Sequence, residues 1–276
     1  MSMPAGNEFR AIMSTEWRLL EPICAFSSHE GYNVYRSDQF RNYYGGNGIE
    51  ILDPRGRSLA EWEETFHSHF EPERFEHTTF TFPRQEPFRH LIDQARDAAY
   101  HVELYAFMFA GDSSLCRALP DDLEIRKIQS EDDWEMLLGF EQETYVDGDW
   151  YDPSYAGPDR LFEKTRFTSE AVGIEWFYVA RKGEREILSK LGIFQHGGIC
   201  RLQDVETGAR HQRKGYATYL VSFAINYAIN VLGTRGLSLC ADTEYYAIDL
   251  YRKLGFQPAD DYVMLMKYPI RNPKYL

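Results

Sequence analysis

Apolar and polar positions along the chain follow two periods, and each period marks elements. From Ser58 to Phe70, the residues Leu59, Trp62, Phe66 and Phe70 recur every three or four positions and predict a helix, with Ser58 as N-cap and Glu61 three residues on. Phe88, Leu91, Ile92 and Ala95 mark a second helix over 87–99. Ala217, Leu220, Val221, Ala224, Ile225, Ala228 and Leu232 mark a long one over 215–232. Helical patterns also cover 132–145, 154–167 and 245–254. Apolar or β-branched runs predict strands at 77–82, 102–109, 123–128, 176–181, 189–195, 199–207, 236–241 and 262–267, while 32–52 reads as two strands around an aromatic, glycine-rich loop.

The Gly-, Ser-, Pro- and Asp-rich stretch 111–122 predicts a boundary. Beyond it the order β-α-α-β-β-β-α-β-α-β implies a mixed α/β sheet rather than a strictly alternating parallel one. The organisation read from this is a disordered tail at 1–15, a smaller α/β domain at 16–118 and the main domain at 119–276. Both halves end on a short helix followed by an apolar strand, at 88–109 and 245–267, which hints at a duplicated unit.

Composition narrows the classes. With 43% hydrophobic and 15% aromatic residues, the chain can bury a core. A net charge of −13 argues against non-specific nucleic-acid binding, which needs a basic surface. Between Asp121 and Glu170, 15 acidic side chains face 5 basic ones, so this one segment carries most of the excess. It reads as a solvated face or as the wall of a site for a cation. Cys24, Cys116, Cys200 and Cys240 are widely spaced, which suggests neither a zinc site nor a disulfide framework. The first ten residues lack a signal-peptide pattern, and the longest apolar stretch, 223–232, is broken by Asn226 and Asn230. The expectation is a cytoplasmic protein with no membrane or metal association, monomeric or homodimeric.

Chemistry concentrates at 202–220, LQDVETGARHQRKGYATYL. A strand ends, a basic turn follows, and an amphipathic helix begins. The first N–H groups of a helix have no partner inside it, and the helix dipole favours an anion there, above all a diphosphate. Gly215 allows close backbone approach, and Arg213 and Lys214 add positive charge. Neither G-x-x-x-x-G-K-[ST] nor a post-strand G-x-G-x-x-G is present.

The pattern Gln212-x-x-Gly215-x-Ala217 resembles the Q/R-x-x-G-x-G/A signature of the GNAT superfamily of acyl-CoA-dependent N-acyltransferases. Asp204-Val205-Glu206-Thr207 precedes it as a fourth strand, and Ala247 to Phe256 resembles that family's A-x-x-L-Y-x-K-x-G-F closing helix. The resemblance covers 123–268. It implies a strand splayed from its neighbour to admit the pantetheine arm of acetyl-CoA, held by backbone groups of Val205 and Thr207. It further implies a diphosphate on amides of Arg213, Lys214, Gly215, Tyr216, Ala217 and Thr218, and Tyr251 as acid for the departing thiolate. Ala209 and Glu244 stand where the family often has proline and asparagine. Arg201 stands where histone-type members place a glutamate base, so Asp204, Glu206 and Glu244 remain as alternatives. Alternation along a strand puts Asp204 and Glu206 on one face.

Residues 16–110 resemble, more loosely, the degenerate first half of tandem-type GNAT proteins, through Arg41 to Asn47 and Trp62. That half carries no second signature, and the resemblance implies packing, completion of an acceptor pocket, or association. Taken together, these features imply an acetyl-CoA-dependent N-acetyltransferase acting on a small-molecule or peptide amine, cationic if the acidic segment borders the acceptor. The rivals are a non-catalytic acyl-CoA sensor and a protein scaffold. The loop from Tyr43 to Gly48 reads as a structural turn in preference to a ligand loop, His211 as an exposed rather than catalytic residue, and Cys200 and Cys240 as buried strand residues rather than nucleophiles.

Overall fold

A computed structural model describes residues 5–147 and 158–268. The N-terminal half runs α1 (Ala5–Leu20), β1 (Ala25–His29), β2 (Tyr32–Arg36), β3 (Gly48–Ile51), α2 (Leu59–His69), β4 (Thr78–Pro83), α3 (Arg89–Asp97) and β5 (His101–Ala110). The C-terminal half runs β6 (Leu123–Lys127), α4 (Glu131–Asp147), α5 (Pro158–Val172), β7 (Glu175–Arg181), β8 (Ser189–His196), β9 (Ile199–Thr207), α6 (Tyr216–Asn226), β10 (Leu237–Asp242), α7 (Ala247–Lys253) and β11 (Gln257–Lys267). A π-helical segment, Tyr227–Val231, extends α6. The part of the 154–167 helical reading before Pro158 lies outside the described residues.

All strands join one sheet in the order β1-β2-β3-β4-β11-β5-β10-β9-β8-β7-β6. In the first half β1, β2 and β3 are antiparallel, β3 runs parallel to β4, and β4 pairs antiparallel with β11. In the second, β7, β8 and β9 are antiparallel, β9 runs parallel to β10, and β10 pairs antiparallel with β5. The topology repeats, but each half takes its last strand from the other. β5 and β11 then pair with each other at the centre, with Tyr105 opposite Tyr262. The linker at 111–122 contains the division read at 118/119, yet two strands cross it.

Residue alternation settles the layers. On one face, Val263 and Leu265 pack with Trp62, Phe66 and Leu91 of α2 and α3, and Ala106 and Met108 pack with Leu220, Ile225 and Tyr251 of α6 and α7. On the opposite face, Phe107, Ile199 and Tyr262 meet Ile12 of α1, and Trp176, Tyr178 and Phe194 meet Leu137 and Phe140 of α4.

The expected disordered tail is corrected from residue 5 onward, which is helical. The stripe Phe9, Ile12, Met13, Trp17 and Leu20 has helical spacing, and Ile12 and Thr15 are fully buried. The Gly-, Asn- and Ser-bearing start hides that stripe in the sequence. β1 was also not read from the sequence, since all five of its residues are exposed and it lacks apolar alternation.

α2 has the capping box its sequence predicts: Ser58 Oγ accepts from the Glu61 amide, and Glu61 Oε2 accepts from the Ser58 amide at 2.8 Å. Ser58→Ala removes the side-chain acceptor and is expected to cost about 1 kcal/mol. Urea denaturation checks it, and an unchanged midpoint would contradict the cap's role.

Candidate active site

Among the described residues, β9 and β10 pair only at Cys200–Leu237 and Arg201–Ser238, then part. β10 stays fully paired to β5 on its other side, so it is β9 that leaves the ladder. One cause is a β-bulge. The β8–β9 register shifts between Lys190 and Gly192, and Asp204 sits at φ 45°, a left-handed conformation that bends the strand. The Gly208 amide donates to Leu188 O, and Ser189 Oγ donates to Glu206 O at 2.8 Å. Alternation therefore turns the backbone groups of Val205 and Thr207 away from β8, into the gap.

At the end of the gap the chain turns through a 3₁₀ segment, Ala209–His211, into α6. Arg213 (φ 61°) and Gly215 (φ 85°) are both left-handed, and no side chain caps α6. Only glycine takes that conformation without strain, so the turn delivers the amides of Tyr216, Ala217 and Thr218 open at the helix start. Gln212, Arg213 and Lys214 are exposed, and Tyr216 is buried. Arg210 pairs with Glu143 of α4, and His211 Nε2 lies 2.9 Å from Glu186.

Tyr251 of α7 lies beside the gap on the α6 face, buried, its ring 5.7 Å from Phe256. Burial pushes its phenol up to about 12, with the Arg201 guanidinium opposing. The phenol is therefore protonated at physiological pH. Arg201 lies between Cys200 and Leu202, both packed under α6, so it projects to the other face. There it is 4% exposed and forms an ion pair with Glu16 of α1.

The two strand carboxylates sit near each other but in different surroundings. Glu206 lies 3.3 Å from Lys190 Nζ, which also binds Glu141 of α4. Burial raises the Glu206 pKa, with Lys190 opposing. Burial works against the Lys190 charge, but Glu141 and Glu206 overcome it and raise that pKa. Asp204 is exposed, accepts from Gln203 Nε2 at 2.8 Å, and opens onto a cavity of about 340 Å³ between the halves. Glu244 is exposed at the end of β10, and its amide donates to Asp242 at 2.8 Å.

Glu16, Trp17, Tyr35, Tyr105 and Arg201 also line that cavity. Sequence reasoning missed the first four; the helical stripe of α1 was the available signal for Glu16 and Trp17. None of the described residues of Asp121–Glu170 lines it, so the described part of the acidic segment is not its wall. Many of those acids are engaged elsewhere: Glu131 with Arg166 and Glu163 with Arg160, both at 2.6 Å, while Asp133 accepts from the Ser130 amide at 3.0 Å. The Tyr43–Gly48 loop is held by Asn47, whose side chain accepts from the Ser37 amide at 2.7 Å and donates to Phe40 O and Tyr43 O at 3.0 Å. Tyr43 and Gly45 nonetheless reach the cavity.

The splayed strands, the open helix start and the buried tyrosine lie within residues that match the Acetyltransferase (GNAT) family, 134–256. The C-terminal half carries a GNAT domain. Solved structures extend the likeness in fold to both halves. A functionally unknown conserved protein from Staphylococcus epidermidis matches 90% of this chain and 95% of its own at 13% identity, with a TM-score of 0.73. A GCN5-related N-acetyltransferase from Kribbella flavida matches 97% and 96% at 15% identity, TM-score 0.64. A tandem GNAT protein from the clavulanic acid biosynthesis pathway matches 96% and 97% at 12% identity, TM-score 0.55. No curated protein matches the sequence. Among the described residues no group of three His, Cys, Asp or Glu could hold a metal ion, and no helix is long and apolar enough to cross a membrane.

Proposed function

We propose that the protein is an acetyl-CoA-dependent N-acetyltransferase in which a primary amine attacks directly, without a covalent enzyme intermediate. The observation that carries this is the gap between β9 and β10, which has open α6 amides at one end, Tyr251 on one face and the inter-half cavity on the other. Acetyl-CoA supplies the acetyl group as a thioester. Backbone groups of Val205 and Thr207 fit the pantetheine arm, and the amides of Gly215 to Thr218 fit the diphosphate, helped by the helix dipole and by Arg213 and Lys214. Tyr251 protonates the leaving thiolate. Asp204, open to the cavity, receives the amine's proton; Glu206, tied to Lys190, serves instead to hold β9 against α4.

Arg201, where histone-type GNAT members carry a glutamate base, favours a second reading as a CoA-binding sensor without turnover. Thermal shift and thiol release separate the two. CoA is expected to stabilise the fold by binding the native state alone. Gly215→Val is expected to remove that stabilisation, because a β-branched residue resists φ 85° and crowds the diphosphate. Full retention of the CoA shift in Gly215→Val would count against this placement. Stabilisation by CoA without thiol release for any amine would favour the sensor.

A further inference from the structure

We propose that the acceptor is a small primary amine on an apolar, preferably aromatic, body with no carboxylate, and that it binds in the cavity between the halves. The proposal rests on the acetyltransferase reading and names the substrate class of that site. The cavity abuts the gap, because Arg201 and Cys240, which line it, flank the parted ends of β9 and β10. Its volume of about 340 Å³ falls in the range of small-molecule sites.

Its walls are rings. Trp17 comes from α1, Tyr35 from β2, Tyr43 from the loop before β3, and Tyr105, Phe107 and Tyr262 from the exchanged central strands. Trp17 and Tyr35 lie 5.8 Å apart, centroid to centroid, and Phe107 lies 5.7 Å from Tyr262. Such walls take up a flat apolar body and attract an ammonium group through their ring faces.

Three charged residues line the space: Glu16, Arg201 and Asp204. Glu16 and Arg201 form an ion pair, leaving Asp204 as the one charged side chain of the wall without an ion pair among the described residues, with Lys190 and Lys164 farther off. Lys164 lies 4.0 Å above the Tyr43 ring but does not line the cavity. One ammonium matches Asp204, whereas an acceptor carboxylate would meet Glu16 at Arg201. Most of this wall belongs to the N-terminal half or to β5, which gives that half a part in choosing the substrate.

Thiol release is measured with acetyl-CoA and a matched series: 2-phenylethylamine, spermidine and L-phenylalanine. The kcat/KM for 2-phenylethylamine is expected to exceed both others by at least about tenfold, the ratio that about 1.4 kcal/mol supplies. Trp17→Leu, which keeps an apolar residue on α1, is expected to raise the KM for 2-phenylethylamine severalfold, leaving the thermal shift with CoA unchanged. In the presence of CoA, 2-phenylethylamine is expected to add its own thermal shift, smaller in Trp17→Leu. Equal or better turnover of spermidine or L-phenylalanine overturns the proposal, as does an unaltered KM in Trp17→Leu. CoA stabilisation with no turnover or added shift from 2-phenylethylamine also overturns it. Absence of any CoA shift in the wild type overturns instead the acetyltransferase reading beneath it.

Discussion

Tyr251→Phe is expected to lower kcat by about 10²- to 10⁴-fold, the range that a positioned acid contributes. The KM for acetyl-CoA and the thermal shift with CoA should stay within about twofold of wild type, because the substitution removes only a transition-state interaction. The ring remains, so its packing against Phe256 and the α6–α7 core remains too. The phenol pKa of about 12 adds a pH signature. Since Tyr251 stays protonated through neutral and mildly alkaline pH, an alkaline limb in the wild-type profile below about pH 10 belongs to another group. Steady-state thiol release across pH checks both points. Unchanged kcat in Tyr251→Phe, with an acceptor that turns over in the wild type, would remove the general-acid assignment.

Lys190→Met is expected to destabilise the fold by about 3–5 kcal/mol near pH 8, the cost of breaking a buried ion pair and stranding its partners. Lys190 is 2% exposed and joins Glu141 of α4 to Glu206 of β9. Without it, two carboxylates face each other in a poorly hydrated space. The pH dependence has a definite sign. Glu206 already has a folded pKa raised by burial, and losing Lys190 raises it further. A carboxyl whose folded pKa exceeds its unfolded value binds more protons in the native state, so stability falls as pH rises through the folded pKa. The deficit should therefore shrink as pH is lowered toward 5. Urea denaturation of wild type and variant at pH 8 and pH 5 tests it; an equal deficit at both would mean that lost packing, not charge, is responsible.

Much of the C-terminal half was legible in its residues because local patterns decide local structure. The α6 stripe, the β9 run and the Gln212-x-x-Gly215-x-Ala217 turn each depend on neighbours within a few positions, and each lies where the sequence placed it. The left-handed Gly215 follows from chain chemistry alone. The acidic segment was legible as charge but not as location. Its acids pair with Arg166, Arg160, Lys190 and Arg210, partners up to 67 positions away, as Glu143 with Arg210 shows. Apart from Arg160 with Glu163, an i,i+3 pair, local spacing does not report such pairing.

By itself, then, the sequence determined most elements from β2 onward, the basic turn ahead of α6 and the resemblance that makes acyl transfer the leading reading. Only the tertiary structure decided that β5 and β11 change places, that α1 closes over the far face of the sheet, and that Glu16 lies against Arg201. It also decided that Glu206 pairs with Lys190 beside α4 while Asp204, past the bulge, opens onto the cavity between the halves. The physical reason is range. Periodicity and turn chemistry act over a handful of residues, whereas strand exchange and a cavity walled from both halves depend on contacts more than a hundred residues apart, which no local pattern encodes.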